Sequence, residues 1–215
     1  MNRSYEAEIL DGEDIPEHVI VRAHQDLDRL HGLLGNTAAF VAALKTDPLP
    51  VRRVLDVGCG HGGLLLQLQR QLGVDVVGAD LRPPAASAAP FPIVQADATK
   101  DRLPEADVAI SSYLAHHLSE EGFISLIRNV GRSCRRFIIL DLVRHRLPLV
   151  LFPIFIGPFL SPVNVTDGCT SIRRSMAPDE MRAAVSKALN GTNAMFSYSK
   201  TPFHSRQIVD IRYRG

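Results

Sequence analysis

Three short stretches hold the residues best suited to binding chemistry. They are VLDVGCGHGG, with Asp56, Gly58, Gly60, Gly62 and Gly63; VVGADL, with Asp80; and VQADATK, with Asp97. The first reads as a buried strand that ends in an acid and runs into a glycine-rich turn opening a helix. Glycine suits such a turn because it takes backbone angles other residues avoid and lets a ligand approach the main chain. Asp80 and Asp97 each follow a further strand-like run. Three successive strand ends carrying acid or glycine describe one crevice at the edge of a parallel sheet, of the kind that holds a nucleoside.

The glycine spacing admits two readings. Gly58, Gly60 and Gly63 satisfy G-x-G-x-x-G, and Asp80 stands where an acid for ribose hydroxyls is expected, about 20 residues on. That reading describes an NAD(P)-dependent oxidoreductase. Asp56, Gly58, Gly60 and Gly62 instead spell D-x-G-x-G-x-G. An acid at the first strand's end gains nothing beside a pyrophosphate, but it attracts a cofactor bearing an ammonium and a sulfonium. Asp97 supplies a second carboxylate suited to an adenine amino group, and no phosphate-binding Lys or Arg stands in the turn, whose one basic side chain is His61. The balance favours a cationic cofactor.

With these residues the chain resembles the class I methyltransferases that use S-adenosylmethionine, over most of its length from residue 51 onward. The resemblance implies an α/β fold: a doubly wound seven-stranded sheet, mostly parallel, with an antiparallel C-terminal hairpin. It implies that Asp56 and the 58–62 turn, including Cys59, hold the methionine end. Asp80 would chelate the ribose diol, with Leu81 beside it. Asp97 would read the adenine amino group and the Ala98 amide a ring nitrogen, with Ser112 completing the cofactor set. The N-terminal stretch EILDGEDIPEHVIVRAHQDLDRLHGLLGN is also similar to small bacterial methyltransferases linked to polyketide or quinone biosynthesis. Where those carry a segment like NRWLGG, this chain reads HGLLGN, without tryptophan.

Methyl transfer needs alignment above all, and a base where the acceptor is a hydroxyl. Ser112-Tyr113-Leu114-Ala115-His116-His117 follows the fourth strand, at the mouth of the expected crevice. Either histidine is placed to take a proton, and the sequence does not rank them; one of the two is expected to pack or cap the next helix. Tyr113 is suited to substrate or to the adenosine pocket. Asp141 ends the fifth strand on the same rim, as a basic or substrate-binding group or as a loop anchor. No metal site is expected.

These groups must be carried by a scaffold, and the chain supplies one. Apolar Val19, Ala23, Leu27, Leu30 and Leu34 recur at helical spacing over 16–35. Strands are predicted at 53–57, 74–79, 93–95, 108–111 and 137–140, with helices at 63–71 and 119–130. Alternation of this kind gives a parallel sheet with helices on both faces. A helix opens at Pro178-Asp179-Glu180, and runs at 194–199 and 207–213 are close enough to pair as an antiparallel hairpin. A single domain is expected, with a helical N-terminal cap over about 1–47 and an apolar lid or substrate insert over about 143–176.

Residues 147–166 include no charged side chain, but Pro148, Pro153, Pro158 and Pro162 interrupt the run, so no membrane span is expected. Transient membrane contact stays open. Phe152, Phe155 and Phe159, with Phe123 outside the insert, bias the region toward an apolar wall, whether facing substrate or completing the core. Asp167-Gly168 suits a plain turn. Lys and Arg total 24 against 23 Asp and Glu, which argues against a nucleic-acid protein and for a small-molecule substrate. The pairs Arg135-Arg136 and Arg173-Arg174 and the group Arg144-His145-Arg146 read as solvated surface. Three cysteines without metal spacing and a polar N-terminus point to the cytoplasm. A methyltransferase acting on a lipophilic hydroxyl leads. The oxidoreductase and a non-catalytic cofactor-binding partner of a biosynthetic complex are the alternatives.

Overall fold

The computed structural model describes residues 1–12, 15–83 and 89–213, apart from a few side chains of the first long helix, Leu27 among them. The architecture grows outward from β1 (Arg53–Val57), buried along all but its first residue. β1 pairs in parallel with β2 (Asp75–Asp80) on one side and β4 (Ala106–Ser112) on the other. β3 (Ile93–Gln95) extends the sheet beyond β2, and β5 (Cys134–Leu142) lies beyond β4, both parallel. The chain then reverses. β7 (Arg206–Arg212) pairs antiparallel with β5, and β6 (Met195–Lys200) antiparallel with β7. The strand order is 3-2-1-4-5-7-6, so consecutive crossovers run in opposite directions from β1 and leave a switch point between β1 and β4.

Helices cover both faces, as near-continuous apolar strands require. One core gathers Leu55, Val57, Ala109, Phe137 and Ile139 under α4 (Glu120–Val130) and α7 (Pro178–Leu189). The other gathers Val54, Val108, Ile110 and Ile138 under α2 (Asn36–Lys45) and α3 (Gly63–Leu72). α4 starts where the sequence indicates, with the Ser119 hydroxyl accepting the Gly122 N–H. α1 (Glu17–Leu33) buries Ala23 on its expected apolar face, and α2 follows it as a separate helix that the sequence pattern did not distinguish.

Several expectations are corrected. Arg136 is buried, with its guanidinium bonded to both oxygens of Asp210 at 2.8 and 2.7 Å and to Asp47 at 2.7 Å, so it ties the end of α2 to β5. Arg144 is buried as well, paired with Glu180. Asp167-Gly168 is no turn; it lies inside α6 (Pro162–Arg174), where Gly168 leaves the space that the Phe152 ring occupies. Phe123 is fully buried in the first core and takes no part in the insert. The insert itself is helical in short pieces: α5 (Arg146–Leu151), a π turn at Phe152–Ile156 and a 3₁₀ turn at Gly157–Phe159 precede α6. Among the described residues no helix is long and apolar enough to cross a membrane.

Candidate active site

The C-terminal ends of β1, β2 and β4 converge on the glycine turn. Gly58, Gly60 and Gly62 all have positive φ, at 75°, 51° and 77°. At Gly62 a Cβ would lie 2.7 Å from the Phe91 ring, so only glycine fits both the angle and the space. The Gly60 N–H donates to Asp80 Oδ2 and the Arg82 N–H to Asp80 Oδ1, each at 2.8 Å, which fixes the Asp80 carboxylate at the turn. Cys59 fills the notch that Gly78 leaves in β2; burial and the two nearby carboxylates push its thiol pKa up, so it is an inert filler.

Asp56 is the unusual group. It is fully buried at the end of β1, and its Oδ1 has no hydrogen-bond partner. Burial, then the Asp80 charge, raises its pKa well above the ordinary carboxylate range. The Ser112 hydroxyl at the end of β4 is likewise buried without a partner. An orphaned acid and an orphaned hydroxyl beside a glycine cradle fit a ligand with a cationic, hydrogen-bonding end. Leu81, next to Asp80, exposes its side chain. Asp97 is placed differently from a free adenine reader: Oδ1 accepts from the Thr99 N–H and hydroxyl at 3.0 and 2.6 Å, and Oδ2 pairs with Lys100 at 3.1 Å. Those bonds lower its pKa. The neighbouring Ala98 carbonyl is held by Asn129 at 3.0 Å.

Beyond β4 the chain enters Tyr113 at φ 59°, a backbone conformation that non-glycine residues rarely adopt, then a 3₁₀ turn at Ala115–His117. This turn points His116 at the end of β5. Its Nδ1 lies 2.7 Å from Asp141 Oδ1, and its backbone N–H donates to Asp141 Oδ2 at 2.9 Å. Both residues are buried. His116 Nε2 faces Glu8 Oε1 at 3.6 Å. Burial works to lower the His116 pKa, but the Asp141 charge and hydrogen bond, with Glu8 behind them, raise it overall. His117 takes the opposite course: burial and the neighbouring His116 charge push it down to about 4. The structure thus separates the two histidines that the sequence left unranked.

Five groups here have no signal in the local sequence. Glu8 reaches the histidines because the N-terminal segment lies along α6. Asp167 accepts the Ile9 and Leu10 N–H groups at 2.7 and 3.0 Å, and Arg3 donates to the carbonyls of Arg174 and Leu118. Arg174, expected on the surface, pairs with Asp11 at 2.8 Å and lies 3.8 Å from Glu8. Asn36 donates to the Tyr113 hydroxyl at 2.8 Å and also meets Arg206. Tyr113, half-buried, has its pKa pushed up to about 12, chiefly by desolvation, and stays a neutral phenol. Among the described residues, Glu8, His116 and His117 bring possible metal-ligand atoms within 4.8 Å of one another. Glu8 already accepts the Ser171 hydroxyl at 2.7 Å and has Arg174 beside it, so part of its charge is offset.

These groups lie at one side of a cavity of about 650 Å³. Its remaining wall is mainly apolar: Leu30, Leu34, Phe152, Phe155, Ile156 and Leu160 line it, with Asp26, Asn164 and Ser205 among them. The insert is anchored over α1 through Asp26, which accepts the Ser161 N–H at 2.8 Å and the Asn164 amide at 3.2 Å. Phe155 lines the cavity yet is 63% exposed, so it stands at the rim and completes no core.

Comparison with known proteins places this geometry. Residues 54–136 match the family model of the methyltransferase domain. That match covers less than half of the chain, so the likeness to a methyltransferase domain is shown for this stretch. No curated protein sequence matches it. Among solved structures, the plantazolicin methyltransferase BamL, in complex with a triazolic desmethylPZN analog and SAH, superposes with a TM-score of 0.72 at 13% identity, over 93% of this chain and 92% of that one. The plantazolicin methyltransferase BpumL, in complex with SAH, gives 0.68 at 15%, over 89% and 90%. Human N-acetylserotonin methyltransferase, in complex with SAM, gives 0.60 at 15%, over 89% of this chain and 55% of that one. At these identities the superpositions speak to the fold. The chemistry of the site therefore has to be argued from the chain's own residues.

Proposed function

We propose that this methyltransferase moves a methyl group from S-adenosylmethionine to the hydroxyl of a small lipophilic acceptor. The observation that carries the reading is the buried Asp141–His116 pair, 2.7 Å apart, at one side of an otherwise mainly apolar cavity that begins beside the end of β4. The superposable BamL and BpumL structures contain SAH, and the human enzyme SAM, which supports the cofactor.

When bound, the cofactor supplies a methyl carbon already activated by its sulfonium. Asp56 would hold the cationic end, the 58–62 turn would let the main chain approach it, and Asp80 would accept the ribose hydroxyls. Asp97 would meet the adenine edge through whatever acceptor capacity its own turn leaves. The apolar wall orients the acceptor, and orientation of this kind contributes about 7–11 kcal/mol to lowering a barrier. Asp141 would fix His116 with Nδ1 protonated, leaving the Nε2 lone pair on the side of Glu8, which with His116 lines the cavity. His116 Nε2 would take the proton of the acceptor hydroxyl as that oxygen accepts the methyl group the bound cofactor would supply, with S-adenosylhomocysteine as the leaving product. The resulting imidazolium sits between Asp141 and Glu8, and general-base assistance of this type contributes about 10²–10⁴ in rate.

The test is incubation with methyl-labelled S-adenosylmethionine and a cell extract separated into apolar and aqueous fractions. Label is expected in an apolar product, as a methyl ether. Label confined to polar acceptors would overturn the lipophilic assignment, and absence of transfer with intact S-adenosylhomocysteine binding would make the chain a non-catalytic binder.

A further inference from the structure

We propose that the rim of the apolar cavity is a docking surface for a lipid bilayer with anionic headgroups. Val150, Ile154, Phe155, Phe159 and Phe203 are each more than half exposed, and Leu147 is exposed as well. Leu147, Val150 and Ile154 recur at intervals of three and four along the helical part of the insert and so share a side. The stacked rings of His145 and His204, 4.4 Å apart, bring the start of α5 against the turn at Pro202–His204. Phe203 therefore joins the same surface. Phe155 and Phe203 both line the cavity while facing solvent, so the patch surrounds the opening.

Phe203 is held outward at φ 59°, with His204 at 54°, inside the short turn between β6 and β7. A bulky residue in the left-handed region is strained, and strain that places an aromatic ring in water calls for something to receive the ring. Exposed apolar patches of this extent mark interaction surfaces.

Charge identifies the receiver. No Asp or Glu occurs between 142 and 166 or between 195 and 209, the two segments that build the rim. Their cations are Arg144, Arg146, Lys200 and Arg206. Arg144 is engaged by Glu180 and Arg206 by Asn36, which leaves Arg146 and Lys200 exposed beside the aromatic residues. Exposed apolar side chains flanked by two cations, on segments without acids, are what an anionic interface attracts. A two-fold contact with a second copy would instead set these cations against themselves. The lipid surface also explains why the patch encloses a cavity mouth: an apolar ligand passes between membrane and cavity without crossing water.

Co-sedimentation with vesicles tests this without any acceptor, so its failure leaves the methyl-transfer reading untouched. The full chain is expected to bind phosphatidylcholine–phosphatidylglycerol vesicles, to bind phosphatidylcholine alone far less, and to dissociate as salt rises. Ile154→Asp with Phe159→Asp, both outside the cavity lining, should lower partitioning at least tenfold with an unchanged circular dichroism spectrum. Arg146→Glu and Lys200→Glu should each lower it about fivefold on the anionic vesicles only. No partitioning, or partitioning indifferent to lipid charge and to these variants, overturns the proposal. Self-association of the wild type that Ile154→Asp abolishes overturns it also, and assigns the face to a second copy.

Discussion

Replacing Asp141 by Asn gives the sharpest account of how the dyad works, because the change removes the charge and keeps the shape of the side chain. In the native site Asp141 Oδ1 accepts from His116 Nδ1 and from the Leu142 N–H, both at 2.7 Å, while Oδ2 accepts the His116 N–H at 2.9 Å. An asparagine offers one oxygen and one NH₂ group. Either orientation sets that NH₂ against a backbone donor, leaving a buried N–H without a partner at a cost of about 1–3 kcal/mol in stability. The catalytic effect is separate. Burial alone depresses the His116 pKa, and the Asp141 charge is the largest influence raising it. Without that charge, burial prevails and the imidazole becomes a weaker base.

The sign follows directly. A base must be unprotonated to act, so the acid limb of kcat/KM in the wild type should lie above the ordinary histidine value of about 6.5. In Asp141→Asn the limb should move to lower pH, and the plateau should fall by about 10²–10⁴ as the base weakens and loses its fixed tautomer. His116→Gln should lose a similar factor and abolish the limb, and the double variant should be little worse than either single one, because the two residues act as a unit. The assay is the pH dependence of kcat/KM for methyl transfer to the acceptor whose labelled apolar product has been identified. An acid limb that stays in place in Asp141→Asn, or His116→Gln with more than a tenth of wild-type activity, would refute the assignment.

Other expectations are equally direct. Asp80→Ala should weaken S-adenosylhomocysteine binding at least tenfold in a calorimetric titration, since charged hydrogen bonds contribute about 1.5–3 kcal/mol each. Asp97→Asn should cost less, because its carboxylate is already bonded to Thr99 and Lys100. S-adenosylmethionine should bind more tightly as pH rises through the raised pKa of Asp56, since the ionised acid is the form that meets a cation. Neutral S-adenosylhomocysteine should show a smaller dependence, measured by the same titration. Phe155→Ala should leave the melting temperature nearly unchanged and raise KM, whereas a buried phenylalanine would cost about 3–5 kcal/mol of stability. Exhaustive chelation should leave the rate unchanged, because His116 acts as a base; loss of activity restored by a divalent cation would instead give Glu8, His116 and His117 to a metal.

What the chain disclosed by itself divides along the range of the forces involved. The strands around Asp56, Asp80 and Asp141 are short apolar runs whose period is local, and the glycine turn is a backbone requirement met within five residues. Ser119 and Pro178 start their helices through contacts with their own first turns. Arg136 was misread because its partners stand 89 and 74 residues away, and no local pattern distinguishes a buried arginine from a solvated one. Asp167-Gly168 carries a turn signal that tertiary contacts override: inside α6 the acid binds two N-terminal amides and the glycine admits the Phe152 ring. Glu8 lay in a polar, acidic stretch that gives no sign of burial.

Glu8 also shows how the fold and the site depend on one another. Alone, the N-terminal segment has no apolar face with which to hold itself against the domain, and its only regular structure is the single turn at Ile9–Asp11. It is held by polar contacts instead: two amides on Asp167, Arg3 on two carbonyls, and Arg174 on Asp11. Charged hydrogen bonds of this kind are individually modest, and a segment held by them opens more readily than one fixed by core packing. Yet this segment brings the second carboxylate to His116 and lines the cavity through Glu8 and Leu10. The sheet supplies Asp141 and the N-terminal segment Glu8, so the two carboxylates that flank His116 come from parts of the chain more than a hundred residues apart and meet only because polar contacts seat the segment on α6.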